Sequence, residues 1–183
     1  NIIPTHIKNM KKIVDYTGES SHYINKGLIT GDITYEHEKH ANEISDSIRH
    51  NEVRSPRDFH VFTGISKRTD IKKIVDAKKN ANYSHVPIHF PAFTSTSLDY
   101  GTAHSFANAT LSPETGTVND IVKIHVPKEH KAGLYVDHFS ASSGEKEYIL
   151  DKDHVIHVNH QEPTYHGKSG AWTRIWDAHV KPS

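Results

Sequence analysis

The sequence predicts an α+β fold, and three observations carry that expectation. Apolar residues recur at helical spacing in the first fifty positions. From Asp58 onward the texture changes to short β-favouring segments bounded by Gly, Pro, Ser and Thr. The two kinds of segment are largely grouped in blocks, helices first, which argues against repeated βαβ units. At 183 residues the chain fits one domain with room for a real core.

In order, Ile7, Met10, Ile13 and Val14 share a helical stripe, with Pro4 suited to a helix start. Tyr23, Ile24 and Leu28 predict a second, short helix that Gly31 can end, and Tyr35 to His50 a third with Ile44 and Ile48 on one stripe. These stripes read as core and are assigned no chemistry. Phe59 to Phe62 reads as a strand stopping at Thr63-Gly64, and Ile71, Ile74 and Val75 suggest a helix within the charged stretch Ser66 to Ala81. A β segment from His85 to Phe93 leads to Thr94-Ser-Thr-Ser97, a cluster of residue types that usually form turns and helix caps. Leu98 to Ala109 reads helical with Asp99 as cap. Ile121 to Val126 is the clearest strand; Glu147 to Leu150 and His154 to Val158 follow, joined by Asp151-Lys-Asp153, and a last strand runs from Thr173 to Val180. Trp172 and Trp176 read as packing residues.

Composition narrows the function. Acidic and basic residues balance at 22 each, which weighs against a basic nucleic-acid groove or a polybasic membrane patch. No apolar run approaches the ~20 residues that span a bilayer. The absence of cysteine removes disulfides, thiolate zinc sites and a Cys nucleophile, and fits a reducing compartment. A chain that begins at Asn1 reads as a fragment of a longer protein. Among 17 histidines, His154, His157 and His160 recur every third residue, but on a strand that spacing sends neighbours to opposite faces. With no HExxH either, surface histidines are expected and no metal site.

Chemistry concentrates at Glu145-Lys146-Glu147, after a Ser- and Gly-containing stretch. On a regular strand Glu145 and Glu147 would share a face about 7 Å apart, close enough to serve different atoms of one reaction. Alone, such a pair is most simply a solvated strand edge. Its order behind Phe62-Thr63-Gly64 and Ser95-Thr96-Ser97 changes that reading.

With these three segments in sequence, the chain resembles the mono-ADP-ribosyltransferases of the Arg-Ser-Glu class, from about Ile24 to the C-terminus. That family includes bacterial toxins, vertebrate ecto-enzymes and T-even-like phage enzymes; the general texture suggests the phage branch. The resemblance implies a single catalytic domain over 1–183, with N-terminal helices and two mainly antiparallel sheets forming a cleft for NAD. NAD is then the co-substrate, no metal is needed, and the partner is a target protein, a bacterial host protein among the candidates, whose arginine accepts ADP-ribose. It also implies action in the cytoplasm of a host or target cell, reached by secretion or from a virion.

Residue by residue, Glu147 matches the catalytic glutamate and Glu145 the acidic residue of arginine-modifying members. Ser95 matches the serine that orients the glutamate, and Thr96 and Ser97 complete that motif in the nicotinamide pocket. Gly64 matches the glycine whose neighbouring backbone grips the nicotinamide amide, and Asp137 to Gly144 the loop that meets the protein substrate, with Phe139 as an aromatic contact. One position departs: Thr63 stands where the family has a phosphate-binding Arg, and a hydroxyl supplies no charged fork. Arg57 and Arg68 flank the segment and are the expected substitutes.

Overall fold

The computed structural model describes residues 15–50, 57–65, 85–102, 118–136, 146–159, 164–168 and 171–180. A π-helical turn, Tyr16–Ser20, leads directly into helix α1, Ser21–Thr30. Gly31 ends α1 in the left-handed region (φ 79°), which glycine enters without steric cost, and its N–H donates to the Gly27 carbonyl at 2.9 Å. Helix α2, Tyr35–His50, follows with Glu36 and Glu38 in its first turn and Arg49 and His50 in its last, the arrangement that suits the helix dipole. Its buried stripe includes Ala41, Ile44 and Ile48. The two helices predicted around Tyr23–Leu28 and Tyr35–His50 are thus present. The one predicted on Ile7 to Val14, and that within Ser66 to Ala81, lie outside the described residues.

Nine strands follow among the described residues: β1 (Phe59–Ile65), β2 (His85–Phe90), β3 (Thr94–Ser97), β4 (Val118–Val126), β5 (Gly133–Tyr135), β6 (Glu147–Leu150), β7 (His154–Asn159), β8 (Thr164–Lys168) and β9 (Ala171–Val180). They form one hydrogen-bonded path in the order β2-β7-β9-β4-β1-β3-β6-β5, with β8 on β9. The β4–β9 pairing is parallel and the other pairings are antiparallel.

The two mainly antiparallel sheets expected from the resemblance are present as two halves of one hydrogen-bonded path. A larger half (β2, β7, β9, β4, β1) and a smaller half (β3, β6, β5) meet at a single rung, Phe62 opposite Ser97. Two hydrophobic clusters pack against the sheet, and β6 serves both, with Tyr148 and Leu150 in the first and Ile149 in the second. One gathers Val61, Ile124, Ile156, Val158, Trp176 and Val180 under the larger half. The other packs Ile24, Ile44 and Ile48 of the helices against Phe93, Leu134 and Ile149. Trp176 is core, as expected, and its indole N–H donates to Asp120 at 2.9 Å.

Three further readings change. β1 does not stop at Thr63-Gly64 but continues through Ile65, because both residues pair with β4. Thr94–Ser97 is a strand rather than a turn: β6 on one side and β1 on the other override its local preference. β5 and β8, short and rich in polar or glycine residues, carried no strand signal. The expected helix after the Ser-Thr cluster starts at Tyr100, and Asp99 caps it by accepting from the Thr102 N–H at 3.0 Å. Its extent beyond residue 102 lies outside the described residues.

Candidate functional site

The candidate site forms where the two halves join. β3 runs antiparallel to β6, placing Ser97 opposite Glu147 and Ser95 opposite Ile149. Residues paired across strands share a face, so Ser95, Ser97 and Glu147 point to one side, with Ser97 about 5 Å from Glu147 at Cα and Ser95 on the diagonal. Thr94 and Thr96 face the other way, and the buried Thr96 hydroxyl donates to the Tyr148 carbonyl at 2.6 Å. Ser97 is buried and accepts from the Asp99 N–H at 3.0 Å, while Ser95 remains exposed. The exposed hydroxyl is therefore the one free to meet a ligand beside Glu147.

Backbone bonds clamp Glu147 from both sides. Val136 N–H donates to the Glu147 carbonyl at 3.0 Å, and Leu98 N–H to the Lys146 carbonyl at 3.1 Å. The side chain is half-buried. Lys146 has a left-handed backbone, φ 52°, so regular alternation begins only at Glu147. β6 thus covers Glu147–Leu150, the strand expected from the sequence. Glu145, Phe139 and Arg68 lie outside the described residues.

β1 contributes the third edge. Thr63 is buried, and its hydroxyl donates to the Ser95 carbonyl at 3.1 Å, tying the halves together one residue beyond their shared rung. Gly64 follows, exposed and opposite Ile121. Arg57 is exposed, two residues before the start of β1.

Two residues that the sequence did not single out complete the arrangement. Asn25 on α1 donates through Nδ2 to the Tyr16 hydroxyl at 2.8 Å and accepts through Oδ1 from the Phe93 N–H at 3.2 Å. The Tyr16 ring meets Phe93 edge-on at 5.3 Å. Helix, π-turn and the start of β3 are thereby fastened one residue before the Ser-Thr motif. Burial drives the Tyr16 hydroxyl well above its ordinary pKa; the Asn25 bond opposes this and the negative charge of Glu147 adds to it. Tyr16 is thus a neutral neighbour to Glu147 rather than a second anion. Spacing alone could not reveal this contact, since its partners are 9 and 68 residues apart. Asn25 also lines a shallow groove on α1 with His22 and Lys26. Among the described residues no group of three or more His, Cys, Asp or Glu is placed to hold a metal ion.

The family model described as ADP-ribosyltransferase exoenzyme matches residues 5–179. Solved structures agree at the level of fold. Plx2a, an ADP-ribosyltransferase toxin from Paenibacillus larvae, is 17% identical with a TM-score of 0.68, covering 94% of this chain and 85% of its own. C3stau2 from S. aureus, solved with NAD, is 17% identical with a TM-score of 0.65 (95% and 86%). The Clostridium limosum C3 exoenzyme is 18% identical with a TM-score of 0.61 (94% and 84%). No curated protein matches the chain in sequence.

Proposed function

The chain belongs to the ADP-ribosyltransferase exoenzyme family, and from that premise we propose that it transfers ADP-ribose from NAD to an arginine of a target protein, releasing nicotinamide. The observation that carries this reading is the setting of Glu147: half-buried, clamped by β3 and the residue after β5, and sharing a face with the exposed Ser95.

Heterolysis of the bond between the ribose and nicotinamide sends the electron pair to nicotinamide and leaves positive charge on the sugar. A carboxylate held beside that sugar favours the transition state over the neutral-ribose ground state. Glu147 takes this role, and Ser95 holds the ribose or the carboxylate in register. The acceptor guanidinium nitrogen attacks the sugar carbon. It must shed a proton near that moment, because its free pKa exceeds 12. Glu145, two residues upstream, receives the proton, and Phe139 meets the target protein. Ser97 and Gly64 shape the nicotinamide pocket, while Thr96, on the opposite face, fastens β3 to β6 through its bond to the Tyr148 carbonyl. Arg68, together with Lys26 in the groove that reaches Asn25, supplies positive charge for the diphosphate. The similar structures include a bacterial toxin and a bacterial exoenzyme, which favours the toxin branch over the phage branch and a target protein inside another cell.

The test is incubation with NAD labelled in the adenylate, with a cell lysate present, followed by separation of labelled protein and free nicotinamide. Wild type labels protein, Glu147→Gln releases no nicotinamide, and Glu145→Gln releases nicotinamide without labelling protein. Undiminished labelling by Glu145→Gln would overturn its role. The neutral Thr63 favours a second reading, a non-catalytic module on this fold; absence of labelled protein, self-labelling and free nicotinamide together would establish it.

A further inference from the structure

Four histidines on four different strands stand in one row across the larger half of the sheet. His60 on β1 is opposite His125 on β4, His125 is opposite His179 on β9, and His179 is opposite His157 on β7. Paired residues share a face, and the core-side neighbours Val61, Ile124, Ala178 and Ile156 point the other way. The row therefore lies on the face opposite the core. Its rings are in contact: His60 and His125 have centroids 5.3 Å apart, and His157 and His179 stack at 5.3 Å with planes 19° apart.

We propose that this row is an acid-operated release: four neutral imidazoles pack side by side near pH 7, and their protonation as pH falls toward 5 drives β1, β4, β9 and β7 apart.

The surrounding charges set its range. Among the described residues, Asp58 lies 3.4 Å from the His125 ring, and Lys123 and Asp177 occupy the neighbouring row opposite one another. His89 on β2 and Asp153, just before β7, are 3.5 Å apart beside the row. Asp58 offsets positive charge at one end of the row, and Lys123 counteracts Asp177. Protons after the first must enter beside an imidazolium already present. In agreement, burial, then Lys123, then His125, hold His60 below its ordinary value against the opposite pull of Asp177 and Asp58. A histidine whose folded pKa is depressed gives its full stabilisation above its unfolded pKa and loses it as pH falls through that value. Each charged neighbouring pair about 5 Å apart is expected to lower the folded-to-unfolded ratio about tenfold.

Urea unfolding of the whole chain from pH 7.5 to 5.0 tests the proposal, in a His154→Phe background that removes the separately buried core histidine. Between those limits the parent is expected to lose about a hundredfold more in the folded-to-unfolded ratio than the same chain carrying His125→Thr and His179→Thr, which break every rung. His22→Gln, on the exposed side of α1, is expected to leave the slope unchanged. Proton NMR titration of the row in the unmodified chain provides a measurement independent of the variants: the row should titrate over more than two pH units, with inflections that move when a neighbour titrates. Equal pH slopes with and without the two threonines, or four independent titrations at the ordinary histidine value, would overturn it.

Discussion

Replacing Asn25 by Ala tests whether the helices hold the start of β3 in place. The substitution removes the bond to the Tyr16 hydroxyl at 2.8 Å and the bond from the Phe93 N–H at 3.2 Å. Both partner residues are buried, Tyr16 at 1% and Phe93 at 4% exposure. A buried polar group left unpaired costs ~1–3 kcal/mol. Asn25 itself is half-buried, so water entering its place repairs part of the loss, and about 2 kcal/mol is the expected total. For a chain of this size that lowers the melting temperature by about 4–8 °C. Tyr16→Phe removes only the hydroxyl and should cost ~1 kcal/mol. The double variant should cost about 1 kcal/mol less than the sum, because both single changes delete the same bond. Urea unfolding followed by tryptophan fluorescence measures all three. Nicotinamide release should show kcat falling more than KM rises, since Ser95 and Ser97 lie on the strand that Asn25 fastens. A cost for Asn25→Ala under ~0.5 kcal/mol, or strict additivity with Tyr16→Phe, would refute the joint.

A Cβ at Gly133 would run into the carbonyl oxygen of Ile149 on β6, so Gly133→Ala should part β5 from β6 and cost more than ~2 kcal/mol in equilibrium unfolding. His154 is held down to about 4, chiefly by burial, against 6.5 when unfolded. The stability its neutral form confers is complete above pH 6.5 and declines as pH falls below that, by about 2 kcal/mol at pH 5. His154→Phe should therefore flatten the pH dependence of unfolding and gain on wild type in acid. Thr63→Val keeps the shape but loses the bond to the Ser95 carbonyl; a stability loss of ~1 kcal/mol and a fall in kcat for nicotinamide release are expected, with KM for NAD nearly unchanged.

What could be read from the sequence was local. α1, α2, β4 and β9 announce themselves because their apolar periods match their burial, as Ile44 and Ile48 or Ile124 and Val126 do. Thr94–Ser97 misled because its residue types favour turns, and only pairing with β1 and β6 makes it a strand. The motif order still led to Glu147 and the serines, since it depends on succession along the chain. Asn25 and Tyr16 were invisible for the opposite reason: their relation to Phe93 exists only after folding. The histidines make the same point. Counting every third residue tied His157 to His154 and His160, whereas its row partner is His179 across a strand register that no local spacing specifies.

Thr63 shows how one substitution can divide a task. A guanidinium at this position would combine positive charge with a grip on neighbouring backbone. Thr63 is 8% exposed, and an unpaired buried charge costs several kcal/mol until an anion arrives. The hydroxyl incurs no such penalty, yet it retains the grip: it bonds the carbonyl of Ser95 beside the only rung described between the two halves. Ser95 is also the residue whose exposed side chain shares a face with Glu147. The position of the serine and its paired strand relative to β1 therefore passes through Thr63. Charge for the diphosphate must then come from the periphery, where solvent lowers the cost of holding a cation unpaired. Under the proposed activity, architecture and charge become separable: changes at Thr63 act on the chemical step, and changes at Lys26 or Arg68 act on NAD affinity.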